Sequence, residues 1–187
     1  MAGNGLPAGI PTPAVRNNIM QRPLTCNELY LVRKILGNAA NWSQVQIVSG
    51  AWWLLHPHAA ITCGNRIVFP AAYYVDDFAQ ANLSRQAWLI HELMHVWQSQ
   101  HGFPIIFAGV CLALKAGYYQ ARAYRYPPLN TIKSLGQLNM EQQAQLVQDY
   151  FLALAGDKRH LPFLVHFRRL LKPLIHQPDN RRLLPHY

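Results

Sequence analysis

Five residues near the middle of the chain, His91-Glu92-Leu93-Met94-His95, lie inside an apolar stretch that begins after Ser84 and is stopped by Gly102 and Pro104. This text predicts a helix capped by Ser84 and ending near His101. It is apolar round almost its whole circumference and therefore belongs at the centre of the fold. On such a helix positions i and i+4 are neighbours, so both imidazoles can reach one ion. Zn2+ takes imidazole nitrogen at about 2.0–2.1 Å and prefers four ligands, so three protein ligands leave one position for water. Glu92, beside the first imidazole, is placed to act on that water as a general base. The ion brings the pKa of the water toward about 7, and the carboxylate takes its proton as hydroxide attacks a carbonyl. A glutamate buried among apolar side chains also needs a partner, which an ion supplies. The chain holds only 9 His and three Glu (Glu28, Glu92, Glu141). The odds of an accidental H-E-x-x-H in it are roughly 0.7 %.

A third ligand is required. Asp76, Asp77, Glu141, Asp149 and the seven other histidines are the choices, and Glu141 is preferred because it falls near the first turn of a later helix. Zinc peptidases whose third ligand is a glutamate on a downstream helix use that arrangement. His101 is too far along its own helix to join His91 and His95, and His56 and His58 read as loop histidines. An oxyanion donor is sought among Tyr118, Tyr119, Tyr124 and Tyr126, with Tyr126 and Tyr124 preferred. The stretch Ile67 to Phe69 reads as a strand that can hold an extended peptide by main-chain pairing.

Around this helix the sequence predicts a mainly helical α+β domain. Thr25 and Glu28 form a T-x-x-E capping box before an apolar pattern closed by Gly37, which predicts a short helix. Val45 to Val48 and Ile61 to Phe69 read as strands, the second interrupted by a Gly64-Asn65 turn, so a small sheet or hairpin precedes the central helix. Ile105 to about Tyr124 reads as a helix pairing with the central one as a helical hairpin. A further helix begins near Asn139, carries Met140, Ala144, Val147, Phe151 and Leu154 as its core stripe, and ends at Gly156. Beyond it the chain is basic, punctuated by proline and carries no assignable element.

The balance of 51% hydrophobic to 13% charged residues excludes a disordered chain. The length of 187 residues suits one core. The expected organisation is a flexible linker over residues 1–20, rich in Gly and Pro, and a single domain over 21–187. The opening residues lack a basic start and an apolar core and do not read as a secretory signal. The longest apolar run, Ile105 to Leu114, is far short of the roughly 20 residues that cross a bilayer. The net charge of +9 attracts any polyanion, and seven of the cations lie between Lys158 and the C-terminus. No base-reading motif accompanies them, so a specific nucleic-acid partner is not expected. Cys26, Cys63 and Cys111 show no CxxC spacing and read as buried free thiols.

Three stretches together resemble a known family. They are Ala60-Ile61-Thr62-Cys63-Gly64-Asn65-Arg66-Ile67-Val68-Phe69-Pro70, Trp88 to Gln98 with His-Val-Trp-Gln following the pentad, and Asn139-Met140-Glu141-Gln142-Gln143-Ala144 with Asp149-Tyr150. The text from about Leu24 to Ala155 is similar to the zinc-metallopeptidase effector domains attached to bacterial type VI secretion spike (VgrG) and Rhs proteins. That resemblance implies a zincin-like fold, Zn2+ held by His91, His95 and Glu141, and Glu92 as catalytic base. It also implies an antibacterial toxin delivered by the spike, acting on a peptide or protein in the periplasm of the target cell and neutralised in the producer by an immunity protein. The competing expectation is a membrane-active or envelope-binding module that uses Ile105 to Leu114 and the basic tail, with a structural metal.

Overall fold

The computed structural model describes residues 19–50, 59–114 and 119–186. The expected linker, apart from its last two residues, lies outside them, as do His56, His58 and Tyr118.

The capping box forms as the sequence dictates. Thr25 Oγ1 accepts from the Glu28 backbone N–H and the Glu28 carboxylate accepts from the Thr25 N–H, which starts helix α1 (Cys26–Leu36). Gly37, at φ +60°, ends it. A short strand that the sequence did not signal, β1 (Gln21–Pro23), precedes it and pairs antiparallel with β2 (Gln46–Ser49). The Gly64-Asn65 turn joins β3 (Ile61–Cys63) to β4 (Arg66–Phe69) as an antiparallel hairpin, and β4 runs parallel to β2. The sheet order is β1-β2-β4-β3. β4 is thus hydrogen-bonded on both sides, and the expectation that Ile67 to Phe69 pairs with a peptide fails for that reason. β3 is the edge strand beside it.

Helix α2 (Leu83–Gln100) carries the H-E-x-x-H pentad and is buried from Leu89 to Gln98. Its cap is Asn82, whose side chain accepts from the Arg85 N–H, and not the expected Ser84, whose hydroxyl donates to Asn82. Asparagine caps as well as serine, and the helix starts two residues earlier than expected. Helix α3 is described over Ile105–Leu114, and where the sequence predicted its continuation Tyr119–Tyr124 form a 3-10 turn. Phe103, Ile105, Ala108 and Met140 pack as a small separate cluster that seats the start of α3 beside the start of α4 (Met140–Leu154). On α4 the expected stripe is buried except Leu154, which is exposed at the last turn.

The unassigned C-terminal stretch contains helix α5 (Leu164–His176), which buries Phe167, Leu170, Leu171 and Leu174 against the core. Pro173 sits inside it, where it removes one backbone donor near the end of the helix. The cysteines are not buried: Cys26 and Cys63 are exposed and Cys111 is half-buried. Cys26 opens α1, and Cys63 lies on the outward side of an edge strand. Among the described residues, no helix is long and apolar enough to cross a membrane.

Candidate metal centre

Helices α2 and α4 pack against each other, and their contact positions the site. Asn139 caps α4 by accepting from the Gln142 N–H, and the Gln142 side chain accepts in return from the Asn139 N–H. Glu141 therefore occupies the first turn, where the helix dipole favours a carboxylate. The Gln98 amide of α2 donates to Met140 O, tying the start of α4 to the pentad helix.

His91, His95 and Glu141 converge. Glu141 Oε2 lies 3.2 Å from His91 Nε2 and 3.3 Å from His95 Nε2. One ligand atom from each of the three falls within 4.8 Å of the others. Two ligands about 2.05 Å from a tetrahedral zinc are separated by about 3.3 Å, so the spacing of Glu141 from each imidazole is that of two ligands sharing one ion. All three residues are buried, at 5 to 6% exposure. Burial by itself would lower the His95 pKa, but the Glu141 carboxylate, helped by Glu92 and Gln98, overrides it and raises the value to about 9. Glu141 is the reciprocal case: burial would raise its pKa, and His95 and His91 hold it well below the ordinary carboxylate range.

Glu92 is also buried and points toward the sheet, where Thr62 Oγ1 of β3 donates to its Oε2 at 2.7 Å. That bond fixes one carboxylate oxygen. Tyr124 reaches the centre: its ring lies 5.9 Å from that of His91. Burial first, then the charges of Glu141 and Glu92, raise its pKa well above the ordinary range, which keeps the phenol protonated and able to donate. Tyr126 is placed elsewhere. Its hydroxyl donates to Asp149 Oδ2, in a cleft lined also by Pro127, His160 and Phe163. Asp149 lies two turns further along α4 than Glu141, about 12 Å at 1.5 Å per residue. Among the described residues, the remaining candidate ligands are not brought to the triad. Asp77 caps the turn after it and receives Asn27, and Asp76 is exposed. His101 donates to Trp97 O and faces Asp179.

Three residues of the site lie in the stretches that carry the family resemblance, but no local pattern gave them a role. Thr62 is the inward residue of a three-residue strand, and Gln98 and Gln143 are buried amides on the facing helices. Gln98 falls three residues after His95 on the same helix, which in retrospect places it beside that imidazole.

This is a mainly helical α+β domain whose two packed central helices bring two imidazoles and a carboxylate into metal-binding geometry. No family model matches the chain. It is 32% identical over 146 residues to the type VI secretion system spike protein VgrG2b of Pseudomonas aeruginosa, covering 70% of this chain and 13% of that protein. It is also similar to the solved effector domain of Pseudomonas aeruginosa VgrG2b, with 30% identity, 79% of each chain covered and a TM-score of 0.58. The chain belongs to the family of the VgrG2b effector domain.

Proposed function

We propose that this domain is a type VI secretion effector that hydrolyses peptide bonds with Zn2+, through a zincin-like site in which His91, His95 and Glu141 hold the ion and Glu92 is the general base. The observation that carries the reading is the convergence of His91, His95 and Glu141 on one point, with the anchored Glu92 carboxylate on the same helix as the two imidazoles. A divalent ion supplies Lewis acidity to the carbonyl and to water. Glu92 takes the proton as water oxygen bonds to the peptide carbon, and returns it to the amide nitrogen as the C–N bond breaks. Thr62 aims the carboxylate, and the Tyr124 phenol donates to the carbonyl oxygen as it gains charge. Tyr126, committed to Asp149, takes no part.

Spike attachment follows the relative's architecture, in which the matched region is a small part of a spike protein. The proposed place of action is the periplasm of target bacteria, against a peptide or protein of the envelope, with an immunity protein protecting the producer. Glu92→Gln tests the enzyme. It is expected to bind zinc like the wild type and to lose turnover and periplasmic toxicity by about 10²-fold or more. The measurement is a comparison of new peptide termini in target envelopes exposed to each form. Undiminished toxicity in folded Glu92→Gln protein overturns the reading.

One observation favours the membrane-active alternative: α3 exposes Ile106, Phe107, Val110 and Leu114 on one short helix. That reading predicts liposome leakage by Glu92→Gln protein, which the peptidase reading does not.

A further inference from the structure

We propose that Gln98 and Gln143 are positioning residues for the metal centre: they hold His95 with its proton on Nδ1 and so present Nε2 to the ion, taking their orientation from the backbone carbonyls of Leu135, Met140 and Leu183. The inference rests on the metal site proposed above.

The argument starts from groups that can only accept. Gln143 is fully buried, and its Nε2 lies 2.9 Å from Leu135 O and 2.9 Å from Leu183 O. Two carbonyls demand two N–H groups, so this end of the side chain is the NH2 and its Oε1 faces Gln98. That oxygen lies 3.0 Å from Gln98 Nε2, which also lies 3.0 Å from Met140 O. Again two acceptors require two donors, which turns Gln98 Oε1 toward His95 Nδ1 at 2.8 Å. An amide oxygen there accepts only from N–H, so His95 carries a proton on Nδ1. In the neutral ring the lone pair is then on Nε2, which faces Glu141 and His91. Every hydrogen and every oxygen of the two amides is used, and neither can flip without burying its oxygen against two acceptor oxygens. The tautomer of a metal ligand is thus fixed by the main chain of two surface turns through two side chains.

The Leu183 carbonyl brings the C-terminal segment into the site. Leu183 is buried in a 3-10 turn (Arg181–Leu183) that lies against a second such turn (Leu135–Gln137). A Cβ on Gly136 would fall 2.1 Å from Arg182 O, and His186 Nδ1 donates to Gly136 O at 2.9 Å. The close approach that glycine permits keeps both carbonyls aimed at Gln143.

The experiment uses the chain with Gln98→Met, Gln143→Met and, as a control, Gln100→Met. Gln100 lies on the same helix and makes three hydrogen bonds of its own, to the backbone of Asn41 and to Asn65, away from His95. Zinc affinity is read by chelator competition, and the Nδ1-bound proton of His95 by its slowly exchanging low-field NMR signal in the zinc-loaded protein. Gln98→Met and Gln143→Met are expected to weaken zinc binding by about 10- to 100-fold and to lose that signal, while Gln100→Met keeps both. If Gln143→Met fails to fold, Gln98→Met, which leaves Gln143 on its two carbonyls, decides alone. The proposal is overturned if Gln98→Met stays within about twofold of the wild type, since outer partners of a ligand normally matter more than that. An equal loss in Gln100→Met also overturns it, because the effect would then be one of general stability. A wild type that binds no zinc removes the metal site and this inference together, whereas zinc binding insensitive to Gln98 removes only the inference.

Discussion

Glu28 and Glu141 are both buried carboxylates, and the chain answers them in opposite ways. Glu28, fully buried, is closed by its own fold: Arg22 donates to its two oxygens at 2.7 and 2.8 Å, and the backbone N–H groups of Thr25 and Phe78 add two more bonds at 2.8 Å. Its charge is balanced by a guanidinium that cannot be deprotonated, and the knot ties β1, α1 and the turn before α2 together. Glu141 faces two imidazoles instead, at longer distances, and the positive charge opposite it comes from a proton on His95 or from an ion. A carboxylate paired with Arg is a staple. One paired with titratable nitrogens is a site that can exchange its partner.

The largest expected effect breaks this contrast from the structural side. Glu28→Ala leaves the Arg22 charge and two backbone donors without their acceptor, and should cost about 3 kcal/mol or more of unfolding free energy in urea titrations. Zinc affinity of the folded fraction should not change. Glu141→Gln should do the reverse. Its metal-free stability falls by less than that of Glu28→Ala, while zinc affinity drops more than the about 100-fold that outer-shell changes reach. Equal loss of stability in the two variants would show that both carboxylates are structural.

A smaller effect follows from the pKa of His95. In the metal-free protein that value, about 9, lies above the ordinary 6.5. The pairing therefore stabilises the fold fully below pH 6.5, and the contribution is lost as pH rises through about 9. Glu141 is shifted down, so its contribution is present above its ordinary pKa of 4.5 and is lost as pH falls below it. Melting temperature measured against pH with chelator present should decline between 6.5 and 9. The decline should disappear in His95→Ala and in the zinc-loaded protein, where the ligating nitrogen carries no proton. A decline that survives in both would place the responsible group elsewhere.

The parts of the molecule legible in the sequence are those written in local chemistry. The α1 capping box, the Gly64 turn and the pentad all depend on residues within a few positions of one another, and each formed as read. Glu141 was chosen from its place in the first turn of a helix, and the fold brings it to His91 and His95. Tyr126 and Tyr124 could not be ranked that way, because the sequence does not show that the 3-10 turn ends at Tyr124 and leaves Tyr126 beyond it, and spacing alone does not say which phenol faces His91. Asp149, also on α4, captures one of them. β1 was invisible because three residues of which the last is a proline carry no alternation, and α5 because Pro173 obscured a regular spacing of Phe167, Leu170, Leu171 and Leu174. Thr62, Gln98 and Gln143 are the deeper omission: a buried polar group is chosen for a partner that only the tertiary fold supplies.

The smallest effect tests whether that tertiary supply extends from the C-terminal segment to His95. Gly136 lies five residues before Glu141 and carries no side chain of its own to touch a ligand. A methyl group at this position would meet Arg182 O at 2.1 Å, against backbone that cannot rotate aside. Gly136→Ala must therefore displace the Arg181–Leu183 turn, at a cost of about 1–3 kcal/mol as an overpacking change. Moving that turn withdraws Leu183 O from Gln143 but leaves Leu135 O in place, so the amide keeps one of its two anchors. Zinc affinity should weaken by less than in Gln98→Met yet remain measurably below that of a surface variant with the same loss of stability. Chelator competition on Gly136→Ala beside such a stability-matched variant separates the two accounts. Equal zinc affinities would mean that the C-terminal segment braces the fold without reaching His95.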